Sequence, residues 1–254
     1  MVNQQRRELI LQELGLAPRW VLRDRAQGLT DEHASARAGT AATPQPITAP
    51  APAGQPDRTT VLMRMDWADL KQAAKTCTAC PLHGARKQAV FGVGDERADW
   101  LFIGEGPGAE EDARGEPFVG QAGRLLDNML IAIGLQRGQA VYIANVVKCR
   151  PPGNRQPEPI EAQQCEPFLL RQLQLIQPKL VIALGRTAAN NLLRNDSSIG
   201  SLRGRLHAIR GVPLIVTYHP AYLLRNLVDK AKAWEDLCFA RDTMQRLQAG
   251  ERVH

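Results

Sequence analysis

The sequence contains no apolar run approaching the ~18 residues of a membrane-spanning helix. Its opening stretch, MVNQQRRELILQELG, is charged throughout and lacks the apolar core of a secretory signal. Both absences predict a cytoplasmic protein, in a compartment where structural disulfides are rare. No internal repeat is present, which excludes solenoids and propellers. No Gly-Lys-Ser/Thr follows the glycine-rich loop at Gly104–Gly108, which excludes a P-loop. GxGxxG is also missing, because Ala109 stands where the last glycine belongs, and this counts against a Rossmann-type redox enzyme. Only one CxxC occurs, so the paired knuckles of a zinc ribbon are absent.

What is present is ordinary in bulk and basic in charge. The 254 residues are 44% hydrophobic and 23% charged, with a formal net charge of +6. The pI is about 9.3, a balance that favours an anionic partner such as nucleic acid. Residues 1–32 read as a short helical extension, with Leu9, Ile10 and Leu14 on one face, a surface for a protein partner. Residues 33–59 are rich in Ala, Pro, Thr and Gly and poor in large apolar side chains, the composition of a flexible linker. Residues 60–254 form the expected globular domain.

Within that domain short apolar runs alternate with helical patterns. Trp100–Ile103, Val141–Ala144, Leu180–Leu184 and Leu214–Thr217 read as strands. Helices are expected around Leu125–Ile133, from Pro159 to Gln177, from Gly185 through Leu193, and from about Ala221 onward. The alternation predicts a parallel sheet covered on both faces, a three-layer α/β/α domain. Sites in such sheets lie beyond the carboxyl ends of the strands.

Several residues at those ends suit chemistry. Glu105, Glu110, Glu111 and Asp112 crowd the segment after the first strand, with Gly106 among them and Phe118 further on. Glycines let a ligand approach the backbone, and an aromatic there suits either base stacking or core filling. Asn145 ends the second strand; its amide offers a donor and an acceptor side by side. His219 follows the fourth. Cys77, Cys80, Cys149 and Cys165 supply four thiols, with Pro81, Pro151 and Pro152 beside them; such a set suits tetrahedral zinc or an iron–sulfur cluster. Cys238, in an apolar helical stretch, reads as a core thiol.

Taken together, GEGPGAEED, GEPFVGQAG, NVVKCRPP, the cysteine spacing and HPAYLLR resemble the family 4 uracil-DNA glycosylases over roughly residues 61–245. The resemblance implies a central four-stranded parallel sheet and a [4Fe–4S] cluster on Cys77, Cys80, Cys149 and Cys165. It implies a uracil pocket in which Gly106 lies close to the base, Phe118 stacks on it, Asn145 reads its edge and His219 faces its O2. The chain departs from the better-known uracil glycosylases in carrying Gly106 where they carry a water-activating Asp, so the general base falls first to Glu111 and second to Glu105. The implied activity is hydrolysis of the deoxyuridine N-glycosidic bond in single- or double-stranded DNA by a monomer. Phosphate contacts are expected from Arg186, Thr187 and Arg225, with Arg150, Arg155, Arg203 and Arg205 as further candidates, and Leu223 suits either an apolar wedge or the first buried residue of the last helix. The rival reading is a cluster-bearing module that grips uracil-containing or single-stranded DNA without cutting it.

Overall fold

The computed structural model describes residues 57–251 and 253. The N-terminal extension and all but the last three linker residues lie outside them. The domain starts earlier than expected, because α1 (Arg58–Leu62) is already helical, with Asp57 capping it through the Thr59 amide. Elements then follow in the order α2 (Trp67–Thr76), β1 (Val93–Gly94), β2 (Trp100–Gly104), α3 (Ala109–Arg114), α4 (Gln121–Ala132), β3 (Val141–Asn145) and α5 (Pro159–Ile176). The second half adds β4 (Leu180–Leu184), α6 (Arg186–Leu193), α7 (Ile199–Leu202), β5 (Leu206–Ile209), β6 (Val212–Thr217), α8 (Pro220–Leu223) and α9 (Lys230–Gln248). Among the described residues no helix is long and apolar enough to cross a membrane.

One six-stranded sheet runs in the order β1-β3-β2-β4-β6-β5. Its four central strands are parallel, as the sequence predicted. Two short antiparallel edge strands were not foreseen: β1 pairs with β3, and β5 pairs with β6. The β5–β6 hairpin turns through Arg210 and Gly211, both at positive φ, the conformation two-residue hairpins require. The C-terminal helix expected from Ala221 is broken into α8 and α9 by the segment Leu224–Asp229.

Alternation along each strand supplies two cores. Leu101, Ile103, Val181, Ala183, Leu214 and Val216 face one layer and pack against α2, α5 and α6. Trp100, Phe102, Leu180, Ile182, Leu184 and Ile215 face the other and pack against α4 and α9. The result is the three-layer α/β/α sandwich. Between β2 and β4 the strand order reverses, and loops there diverge to open a crevice at the carboxyl ends.

Candidate active site

All four central strands deliver residues to one cleft of about 670 Å³. Glu105, Gly106 and Gly108 follow β2, Asn145 ends β3, Arg186 and Thr187 open α6 after β4, and Tyr218 and His219 follow β6. Phe118 reaches in from the loop between α3 and α4.

Asn145 is 2% exposed, and its Oδ1 has no hydrogen-bond partner. Leaving a buried polar atom unpaired costs about 1–3 kcal/mol, so such an atom in a cleft is matched to a ligand donor. Gly104 makes this corner possible: a Cβ there would stand 2.6 Å from the Phe118 ring and against Asn145 Oδ1. Gly106 is likewise hemmed in, its absent Cβ lying 2.8 Å from Val147.

His219 caps α8, and its Nδ1 accepts the Ala221 amide at 3.1 Å. Nδ1 is therefore the bare nitrogen of a neutral ring, and the proton sits on Nε2. Burial, followed by repulsion from Arg225, lowers the ring's pKa to about 4 despite the opposing pull of Glu111. The imidazole is neutral at physiological pH and donates through Nε2. Its ring lies 5.5 Å from that of Phe118, centroid to centroid.

The acidic segment after β2 divides by role. Burial raises the pKa of Glu105 in the cleft wall, partly offset by a hydrogen bond from Thr187. Glu111 also borders the cleft, but both its oxygens are engaged: Oε2 takes the Gly108 amide, and Oε1 takes those of Val119 and Gly120 at 3.0 and 3.1 Å. Glu110 is exposed beside Arg114. Asp112 is buried and holds the backbone of Lys87 and Gln88.

Arg225, Arg186 and Thr187 line the cleft mouth. Arg155 also borders the cleft, paired there with Glu161 and Glu158, whereas Arg203 is drawn elsewhere by Asp236 and Glu235. Arg150 donates to Asn154. Of the two places open to Leu223, the structure shows the buried one: it is 1% exposed and packs in the core between α4 and α9. The exposed apolar side chains of this segment are Leu224, Leu227 and Val228. Sequence reasoning missed Gly104 and the stacked pair Tyr218–Tyr222, centroids 5.3 Å apart; the close approach that demands Gly104 comes from a residue fourteen positions away and leaves no local signal.

On the other face of the sheet Cys77, Cys80, Cys149 and Cys165 line one small cavity. Cationic side chains and one amide converge on them: Arg58 Nη2 is 3.4 Å from Cys77 Sγ, Arg86 Nη1 is 2.8 Å from Cys149 Sγ, and the Lys148 amide is 3.2 Å from Cys165 Sγ. Burial pushes the Cys165 thiol up to about 12. Lys148 is buried as well, its Nζ held by the Asn145 carbonyl and by Gln172 Oε1. Four thiols with donors aimed at their sulfurs fit a thiolate-ligated, negatively charged group. Among the described residues no set of three or more His, Cys, Asp or Glu side chains forms a site for a single metal ion. All five cysteines are free of disulfides.

A mostly parallel sheet between helices, with Phe118, Asn145 and His219 gathered in one cleft at its carboxyl end, defines a three-layer α/β/α domain of the open, ligand-binding kind. The chain belongs to the uracil DNA glycosylase superfamily, whose family model matches residues 91–238. It is 44% identical to the type-4 uracil-DNA glycosylase of Archaeoglobus fulgidus over 164 residues, covering 61% of this chain and 82% of that protein. It is 47% identical to the type-4 enzyme of Thermotoga maritima over 159 residues, covering 62% and 82%. A type-5 uracil-DNA glycosylase of Pyrobaculum aerophilum is 30% identical over 149 residues, covering 52% and 66%.

Proposed function

We propose that the protein excises uracil from DNA by hydrolysing the N-glycosidic bond, leaving an abasic site for base-excision repair. The observation that carries this reading is the unpartnered, buried Oδ1 of Asn145 inside the cleft. Uracil offers an N3–H donor to that oxygen and an O4 acceptor to the amide nitrogen. Cytosine presents a bare N3 and an amino group, which reverses both.

A base inside a duplex is out of reach, so the deoxyuridine must swing out of the stack into the slot. Phe118 then covers one face of the ring. As the glycosidic bond breaks, negative charge grows on uracil O2, and His219 Nε2–H donates to it. A neutral donor set beforehand stabilises charge that exists only in the transition state. Water captures the sugar cation. Glu105, the cleft carboxylate whose oxygens are not tied up by backbone amides, takes the water's proton, while Glu111 shapes the two loops. Arg186, Thr187 and Arg225 hold flanking phosphates, with the α6 amides adding to the field. Leu224, Leu227 or Val228 fills the emptied stack.

Cys77, Cys80, Cys149 and Cys165 would hold a [4Fe–4S] cluster, which when bound cross-links three separate stretches of chain. The cysteines, free of disulfides, suit a reducing cytoplasm, where the protein is taken to act as a monomer. The test is alkali cleavage of matched oligonucleotides containing uracil, cytosine or thymine. Strand breaks confined to uracil positions are expected. Tight binding without breaks would instead establish the non-cutting module.

A further inference from the structure

We infer that Arg137, which lies outside the cleft, is a positioning residue that locks the Phe118 ring in place for base stacking. The inference rests on the reading of Phe118 as the stacking platform. Phe118 has φ of 56°, a left-handed conformation that bulky side chains rarely adopt. Something must hold it there, and the geometry identifies what does.

The fork of Arg137 donates twice into this one turn. Nη1 bonds the Pro117 carbonyl at 3.0 Å, and Nη2 bonds the Phe118 carbonyl at 2.9 Å. The guanidinium is itself aimed by Asp127, whose Oδ1 takes Nε at 2.9 Å and lies 2.8 Å from Nη2. From the opposite side Glu111 holds the next two amides, Val119 and Gly120. Gly123 completes the seat, since a Cβ there would overlap the Phe118 carbonyl. The strained residue is thus gripped through its own carbonyl and its neighbours' backbone, and the ring is left free to face Asn145 and His219. Without the fork the two carbonyls lose their donors, and the backbone can relax to negative φ, carrying the ring out of the slot. A planar, bidentate donor is needed, so lysine is not a substitute.

The experiment measures single-turnover excision and inhibition by free uracil for the wild type, Arg137→Ala, Arg137→Lys, Asp127→Asn and Phe118→Ala. Affinity for uracil-free DNA, melting temperature and visible absorbance are followed alongside. Arg137→Ala should weaken uracil inhibition and slow excision by about 10- to 100-fold, the size expected for lost charge-assisted hydrogen bonds. Uracil-free DNA affinity should hold within about two-fold, well inside the scatter expected of a group that touches no phosphate. Arg137→Lys should behave like the alanine variant, whereas Asp127→Asn, which keeps an acceptor for Nε, should stay near the wild type. The double variant Arg137→Ala/Phe118→Ala should be no worse than Phe118→Ala, because the clamp then has nothing to hold. If Phe118→Ala leaves uracil inhibition intact, the stacking reading itself fails. If Phe118→Ala is impaired while folded Arg137→Ala is not, the clamp fails and the stacking reading stands. Equal losses on uracil-free DNA, or full additivity in the double variant, would reduce Arg137 to general scaffolding and overturn the inference. Should Arg137→Ala not fold, Asp127→Ala decides, since it frees the guanidinium without removing it.

Discussion

The cleft and the thiol corner are built from opposite ends of one short segment, Asn145 to Cys149, and they treat polar atoms in opposite ways. In the corner, sulfurs receive donors: Arg58, Arg86 and the Lys148 amide each meet one. In the cleft, the Asn145 Oδ1 is buried with nothing to accept from. A scaffold gains from satisfying every buried group, whereas a binding site keeps a vacancy that only the right ligand fills. The same burial acts on charge in both regions, pushing the Cys165 thiol up to about 12 and the His219 imidazole down to about 4. In the corner the Lys148 ammonium opposes that shift; in the cleft Arg225 adds to it against the weaker pull of Glu111, and the ring stays neutral.

The sharpest way to separate the two regions is to remove one ligand. Cys149→Ser should abolish visible absorbance and leave little folded domain. Structural metal sites contribute roughly 10 kcal/mol or more, comparable to the whole stability of a domain. Iron analysis with a thermal melt checks it, and a colourless variant with the wild-type melt would remove the corner's scaffold role.

The next effect lies in the cleft. His219→Ala should cut single-turnover excision by about 10²–10³-fold, as for loss of one oxyanion donor, while leaving iron content and melting temperature nearly unchanged. Glu111→Gln should cost less, about ten-fold, because the new amide still accepts from Val119 and Gly120 but turns a donor towards Gly108. An inactive Glu105→Gln beside an unimpaired His219→Ala would shift the main term to water activation.

A pH series sharpens the electrostatic half of the comparison. The folded pKa of His219, about 4, lies below its unfolded value near 6.5. The unfolded chain therefore binds the extra proton between those values, and stability from this site is present above pH ~6.5 and lost as pH falls towards 4. His219→Gln should flatten that part of a stability profile measured by chemical denaturation. The smallest effect concerns Arg58, which stacks on Phe168 at 5.3 Å and reaches Gln164 and Cys77. Starting the chain at residue 60 rather than 52 should lower the melting temperature by a few degrees, the scale of about 1 kcal/mol in such a domain, with excision on short oligonucleotides retained.

Much of this was legible in the sequence, and the failures share a cause. The central strands were visible because fully buried parallel strands are continuous apolar runs. The edge strands were not, because β1 has two residues and β5 only four, with His207 interrupting its apolar run. Asn145, Phe118 and His219 stood out by their places at strand and loop ends, and the structure brings the three to one cleft. Glu111 was singled out over Glu110, and Leu223 over Leu224, with no view of which way each side chain turns. Neighbours on a helical turn differ by about 100° in direction, so one faces the interior and the next faces water. Composition records both residues and is blind to the angle.

The strap between the two regions has a consequence in time. The amides of Val146, Val147 and Lys148 bond Gly104, Glu105 and Cys165 in succession, the Lys148 carbonyl takes the Val90 amide, and the Lys148 amine ties back to Asn145. No link in that chain can open by local fraying. Its amide protons should exchange with solvent only when the whole domain unfolds, so the clock of Asn145 is the clock of the fold itself.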